Sequence, residues 1–173
     1  MMPLKAEKSN HMKPYLLNCF LLLIPVLAWN ILFFNALPAA YSPEIFWDNI
    51  PKVVGYSENV LRIIVFVLPA LMQLSLKTQK QQLGLLIYCI GLIVYFLSWS
   101  AMIWWPESNW SQSLLGFTAP AYTTIIWLAG IAWIGHKSFV KGLQHPTIIY
   151  MLFSVLFVTF HTIHAFMVFQ RGL

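Results

Sequence analysis

Ser57-Glu58-Asn59-Val60-Leu61-Arg62-Ile63-Ile64-Val65-Phe66-Val67-Leu68-Pro69-Ala70-Leu71-Met72-Gln73 decides the fold. The stretch is long and apolar enough to be a membrane helix, yet it carries a carboxylate and a guanidinium near one end and a proline within it. Of the 173 residues, 60% are hydrophobic and 9% are charged. A soluble domain carries about 25% charged residues, so the solvent is lipid. A span needs about 20 mainly apolar residues, so the chain has room for at most about six spans and none for a soluble domain.

Five apolar runs are long enough to cross, at about 15–37, 58–76, 83–105, 114–135 and 147–169. They lack the period-2 alternation of barrel strands, and only helices or closed barrels span lipid. The expected fold is an all-α integral membrane protein: five transmembrane helices in an antiparallel bundle, forming one membrane domain over residues 1–173. The first run is too long for the roughly 7–15 apolar residues of a signal peptide, and Pro38-Ala39-Ala40 is a poor cleavage site, so it reads as an uncleaved span. Cys19 and Cys89 make no disulfide framework.

Basic residues set the expected orientation. Lys5, Lys8, Lys13, Lys77, Lys80, Lys137 and Lys141 fall on one side of a five-span arrangement. Glu44, Asp48, Glu58 and Glu107 fall on the other, with Lys52, Arg62 and Arg171. The positive-inside rule then puts the N-terminus in the cytoplasm and the C-terminus outside. Trp29, Trp47, Trp99, Trp104, Trp105 and Trp110 gather near the outer boundary, as an aromatic belt does. The location expected is the plasma (cell) membrane, as a multi-pass protein. The outer loop 38–57 contains Pro43, Pro51 and Gly55. It reads either as an irregular loop or as a short interfacial helix, with Ile45, Phe46 and Ile50 toward lipid and Glu44, Asp48 and Asn49 toward water.

Glu58 and Arg62 are spaced i, i+4 with the acid first, the favoured order. They form either an interfacial anchor pair, with Arg62 snorkelling to headgroups, or the wall of a polar pocket in the outer leaflet. Pro69 is expected to kink the second span near mid-membrane, and Gln73 to need a partner helix. In the fifth span His161 and His164 are spaced i, i+3. At 100° per residue Ser154, Val158, His161 and Ala165 share one stripe, opposite a lipid-facing stripe of Leu152, Leu156, Phe160, Ile163 and Met167. His161 lies about 14 residues from the cytoplasmic start of its span, roughly 21 Å, at the depth of Arg62. Asn30, Asn35, Ser98, Ser100, Thr118 and Tyr122 lie at similar depth. In the fourth span Gly116, Pro120 and Gly130 mark a bent helix with one small side; Gly84 and Gly91 do the same in the third.

The candidate ligand-binding residues are Glu58, Arg62, His161, His164, Asn30, Asn35 and Ser98; no catalytic residue is assigned. Two-helix haem ligation needs a His on each of two facing helices at one depth. His11, His136 and His145 all fall on the cytoplasmic side, so a haem would need a second subunit. His161, His164 and Glu58 are too thin a set across two helices to assign a metal. No P-loop, HExxH, GxSxG or nucleotide fingerprint occurs, and no motif names a cofactor. Asn109-Trp110-Ser111 matches a glycosylation sequon.

Five spans, about 170 residues and many tryptophans resemble the tryptophan-rich sensory (translocator) proteins in outline. The Trp-Pro-rich motif of that family's first spans is absent, and Trp29 and Trp47 have other surroundings, so no residue role is carried over. The expected function is binding of a small or lipid-like ligand, or of a partner subunit, through a polar cluster in the outer half. The alternatives are a membrane enzyme acting on a lipid or redox substrate at the outer leaflet, with His161 or His164 as base, and a small transporter subunit flexing at Pro69 and Pro120. The partners expected are the lipid bilayer and a membrane-embedded subunit or second copy, with no nucleic acid.

Overall fold

The structure, a computed structural model, describes residues 16–172. The readings placed on Lys5, Lys8, His11, Lys13 and Tyr15 lie outside the described residues. Five helices are long and apolar enough to cross a bilayer: Cys19–Ala36, Lys52–Leu71, Gln79–Trp104, Leu114–Ile134 and Pro146–Arg171. The chain is an all-helical integral membrane protein. Ile31, Leu32, Ile63, Ile93, Leu97 and Leu152 are exposed, a coat that suits lipid and would be penalised in water. We call the end holding the 72–78 and 135–145 links the lysine end, and the opposite end the tryptophan end.

The second span departs most from expectation. It runs Lys52–Leu71, with Pro51 at its N-cap, where a proline's fixed φ suits the entry to a helix. Glu58 therefore sits six residues inside the helix, about 9 Å along its axis, and is fully buried. The interfacial anchor pair is corrected: Glu58 is a core residue. Pro69 lies in the last turn, so it ends the helix where a mid-membrane kink was expected; Met72 is extended, at φ −100° and ψ 131°. Gln73 lies beyond the helix. The 38–57 loop shrinks accordingly and holds a 3-10 turn, Ala39–Tyr41, and a short helix, Pro43–Phe46. Ile45 faces outward, but Phe46 and Ile50 turn in, Phe46 against His164 and Ile50 into a small core cluster.

The third span opens on a capping box, Thr78 and Gln81, which satisfies two backbone donors that a helix start leaves bare. Its buried residues include Gln81, Gly84, Tyr88, Gly91, Tyr95, Ser98 and Met102. Steps of three and four are the spacing of a seam that follows a partner helix. That partner is the fourth span. A Cβ on Gly91 would overlap the Trp127 backbone, and one on Gly130 the Tyr88 backbone; only glycine allows so close an approach. The fourth span divides at Thr123 into Leu114–Tyr122 and Thr124–Ile134, one turn after Pro120. Thr123 and Thr124 donate their hydroxyls to the carbonyls of Ala119 and Pro120 at 2.6 and 3.1 Å. It is the most buried span, packed mainly between the third and the fifth. The fifth span's stripes fall largely as expected: Ser154, Val158 and Ala165 are buried and Leu152, Leu156 and Ile163 exposed, but His161 is half-buried, and Phe160 and Met167, expected toward lipid, are half-buried too, Phe160 against the core.

The lysine end is closed by main chain. Cys19 N–H donates to the Met72 carbonyl at 2.9 Å, Leu74 N–H to Leu17 at 3.1 Å, Gln73 N–H to Lys137 at 2.8 Å and Phe139 N–H to Leu71 at 3.0 Å. These bonds accompany the isolated bridges Asn18–Gln73 and Met72–Ser138. Beside them Gln81, 1% exposed, accepts from the Lys77 and Thr78 amides at 2.9 and 3.0 Å. It also donates to the Ile134 carbonyl at 3.2 Å and lies 2.8 Å from His136 Nδ1.

Candidate functional site

The buried face of the second span, with Gly55, Glu58, Leu61 and Val65, meets the buried face of the fifth, with Ser154, Phe157, His164 and Ala165. Glu58 is the meeting point. Its Oε1 accepts from Arg62 Nη2 and lies 2.9 Å from His161 Nδ1, while its Oε2 pairs with His164 Nδ1. The i, i+4 and i, i+3 spacings, each local to one helix, thus combine into one four-residue cluster. Both imidazoles are held flat by aromatic neighbours. Phe157 stacks on His161 with centroids 5.4 Å apart and planes at 8°; Phe46 and Trp47 pack on His164 at 4.3 and 4.6 Å.

A buried carboxylate needs paired charge and filled lone pairs. Glu58 has both: three donors converge on its two oxygens, and the side chain is fully buried. His164 is flanked by acceptors on both sides, because its Nε2 lies 2.8 Å from the Phe46 carbonyl. An imidazole that meets an acceptor at each nitrogen must donate from both, unless the carboxyl itself carries the proton between them. Either way one proton is shared between Glu58 and His164. His161 needs only its Nδ1–H for Glu58, and its Nε2 has no protein partner among the described residues.

Beside the cluster lies a half-enclosed cavity of about 320 Å³, near the lower end of the roughly 300–1,000 Å³ of ligand sites. All five spans and the loop helix contribute to its wall. Arg62, His161, Asn30 and Thr124 supply polar groups; Phe66, Trp99, Phe117, Trp127 and Phe157 supply much of the apolar surface. Tyr41 closes one side, donating its hydroxyl to the Phe117 carbonyl at 2.6 Å. Burial pushes that hydroxyl far above the usual tyrosine pKa, so it stays a donor. The loop helix is pinned above the cavity by Arg171, which donates to the carbonyls of Asp48, Ile45 and Phe46.

Of the residues singled out in the sequence, Glu58, Arg62, His161 and His164 converge. Asn30 joins the cavity wall and accepts from Tyr95 Oη at 2.7 Å. Asn35 does not; it is exposed in the 3-10 turn Phe34–Ala36. Ser98 is buried but donates to its own helix, to the Tyr95 carbonyl at 2.7 Å, and lines a separate, more open and mostly apolar cleft of about 430 Å³ with Leu97 and Tyr122. Thr118 and Tyr122 likewise bond back to their own helix. Sequence reasoning missed the Phe46 carbonyl, Arg171, Tyr95 and the aromatic wall. Tyr95 and Trp99 were findable, spaced i, i+4 on one helix; the carbonyl carries no residue signature.

Among the described residues no group of three or more His, Cys, Asp or Glu side chains is arranged to hold a metal. Each histidine Nδ1 already sits against a Glu58 oxygen, which leaves no room for an ion between them. Cys19 is buried, Cys89 is exposed, and both are free thiols. No protein-family model matches the chain, and no curated protein or solved structure matches it significantly.

Proposed function

We propose that the protein binds a small, lipid-like ligand in the cavity between its spans. One observation carries this reading: the cavity pairs an aromatic wall with Arg62 and His161, and both are held in place by a buried carboxylate. Sites for small molecules combine mostly apolar walls with a few fixed polar groups in this way. A rigid second layer is what such a site needs, and Glu58, His164 and the Phe46 carbonyl supply it. The distribution of the seven lysines supports a cytoplasmic N-terminus and a cavity in the outer half. The plasma membrane is the host we infer. A membrane-embedded partner or second copy remains the other occupant of the same reading.

A second reading has its own support. His161, with Nδ1 on a carboxylate and Nε2 unpartnered on a cavity-lining ring, has the arrangement of an oriented general base. A membrane enzyme acting on the bound ligand is then the alternative.

Mass spectrometry of the protein purified in mild detergent tests the binding reading. A stoichiometric small molecule is expected in wild type and is lost from Arg62→Gln. A wild-type sample that carries no ligand and shows no binding of amphipathic probes defeats the reading. Orientation is tested in a Cys89→Ser background with cysteines at Asn49 or Lys141 and an impermeant maleimide on intact cells. Labelling of the first and not the second is expected; the reverse pattern inverts the topology.

A further inference from the structure

The charge count of the cluster identifies the head of the ligand. Arg62 carries one positive charge at any accessible pH. Glu58 and His164 hold one shared proton between them. If it sits on His164, the pair is a carboxylate and an imidazolium; if it sits on Glu58, both are neutral. The pair sums to zero in both cases, and the one contact of His161 needs only a donated Nδ1–H, with no charge on the ring. The cluster therefore keeps a surplus of one positive charge wherever the proton lies. The other charged groups at this end do not cancel it. Asp48 and Arg171 face each other at 3.9 Å, Glu44 and Lys52 are exposed on the surface, and Glu107, also exposed, accepts from Gln112 at 2.9 Å and is not part of the cavity wall.

The hydrogen-bonding groups on the cavity wall point the same way. Asn30 uses its oxygen to accept from Tyr95, which leaves its amide donors for an occupant. Trp127 lines the cavity, is 2% exposed, and its indole N–H has no partner among the described residues. Glu58 offers an occupant nothing, since its oxygens are saturated and buried. The wall is rich in donors and net positive, at a depth where an unpaired charge is costly.

We propose that the ligand is a monoanionic amphipath: a carboxylate or phosphate head against Arg62, with an apolar body among the aromatic rings. This rests on the binding reading above and narrows it to one charge class. A cavity of about 320 Å³ equals about ten water volumes at roughly 30 Å³ each, which suits a body of about ten heavy atoms. Medium-chain probes follow from that size.

The test compares decanoate, decyl phosphate, decanol and decyltrimethylammonium on the full chain in zwitterionic nanodiscs, read by intrinsic tryptophan fluorescence. At least one anion is expected to bind at least about tenfold tighter than decanol, the scale of a hydrogen bond to a charged group. Which anion binds separates carboxylate from phosphate. The preference is lost in Arg62→Gln and kept in Ser98→Ala. Equal affinity for decanol, or tighter binding of the cation, overturns the anionic assignment and leaves the binding reading standing. Failure of all four probes, with no copurified molecule, defeats both. The wild-type contrast needs no variant, so it holds even where Arg62→Gln fails to fold.

Discussion

The two ends of the bundle are held by different chemistry. At the lysine end the spans are tied through main chain: amides of Cys19, Gln73, Leu74 and Phe139 reach carbonyls on neighbouring segments. At the tryptophan end they are tied through side chains, with Glu58 gathering Arg62, His161 and His164. Backbone ties tolerate almost any side chain, whereas side-chain ties depend on identity. The main-chain ties of the lysine end make few demands on side-chain identity beyond Gln81 and the packed Cys19, Met72 and Gly135, whereas the ties of the tryptophan end depend on it. The difference matches the cavity, which lies at the end where specific groups are fixed.

This contrast sets a ladder of substitutions, each read by SDS-induced unfolding in mixed micelles. Glu58→Ala strands the buried His164 and leaves the half-buried Arg62 and His161 without their acceptor; it should cost about 3–5 kcal/mol, the penalty of breaking a buried ion pair. His164→Ala removes the link to both Glu58 and the Phe46 carbonyl; about 2–3 kcal/mol is expected, on the scale of charge-assisted bonds. Gln81→Ala, at a side-chain hub of the lysine end, leaves the Lys77 and Thr78 amides bare and should cost about 1–2 kcal/mol. Gln73→Ala keeps every main-chain bond and loses only its 3.3 Å contact to the Ser138 carbonyl. About 0.6 kcal/mol, the average for a hydrogen bond within a membrane bundle, bounds its effect. Should Gln73→Ala prove as damaging as Glu58→Ala, the contrast between the ends collapses. A Gln81 effect equal to that of Glu58 would shift the boundary between them.

Much of this was legible in the sequence, for definable reasons. Five apolar runs announce five helices because lipid forbids exposed backbone polar groups. The spacings of Glu58 with Arg62 and of His161 with His164 place each pair on one face, and those faces meet. What stayed hidden was depth. Reading the second span as starting at Glu58 overlooked Pro51 as a helix opener, so a core carboxylate looked like a surface one and Pro69 like a mid-membrane kink. Asn35 and Ser98 show a further limit: depth along a helix is readable, but the direction a side chain faces depends on neighbours. Asn35 ends exposed in a 3-10 turn, and Ser98 satisfies itself on its own helix. The main-chain ties at 71–74 have no residue signature, because amides and carbonyls are common to every residue.

The i, i+4 placement of Glu58 and Arg62 also bears on how the chain is made. A lone acidic or basic residue at a helix centre costs about 2.5–3.5 kcal/mol to insert. Here the two charges lie one turn apart on the same segment, so they neutralise each other as soon as that helix forms, before any later segment has been synthesised. His161 and His164 arrive with the last span. Insertion of the second helix thus does not wait for its histidine partners, and the cluster is completed only when the final helix docks. Biosynthesis builds the site in two stages, a self-neutralised half first and the half that fixes its geometry last.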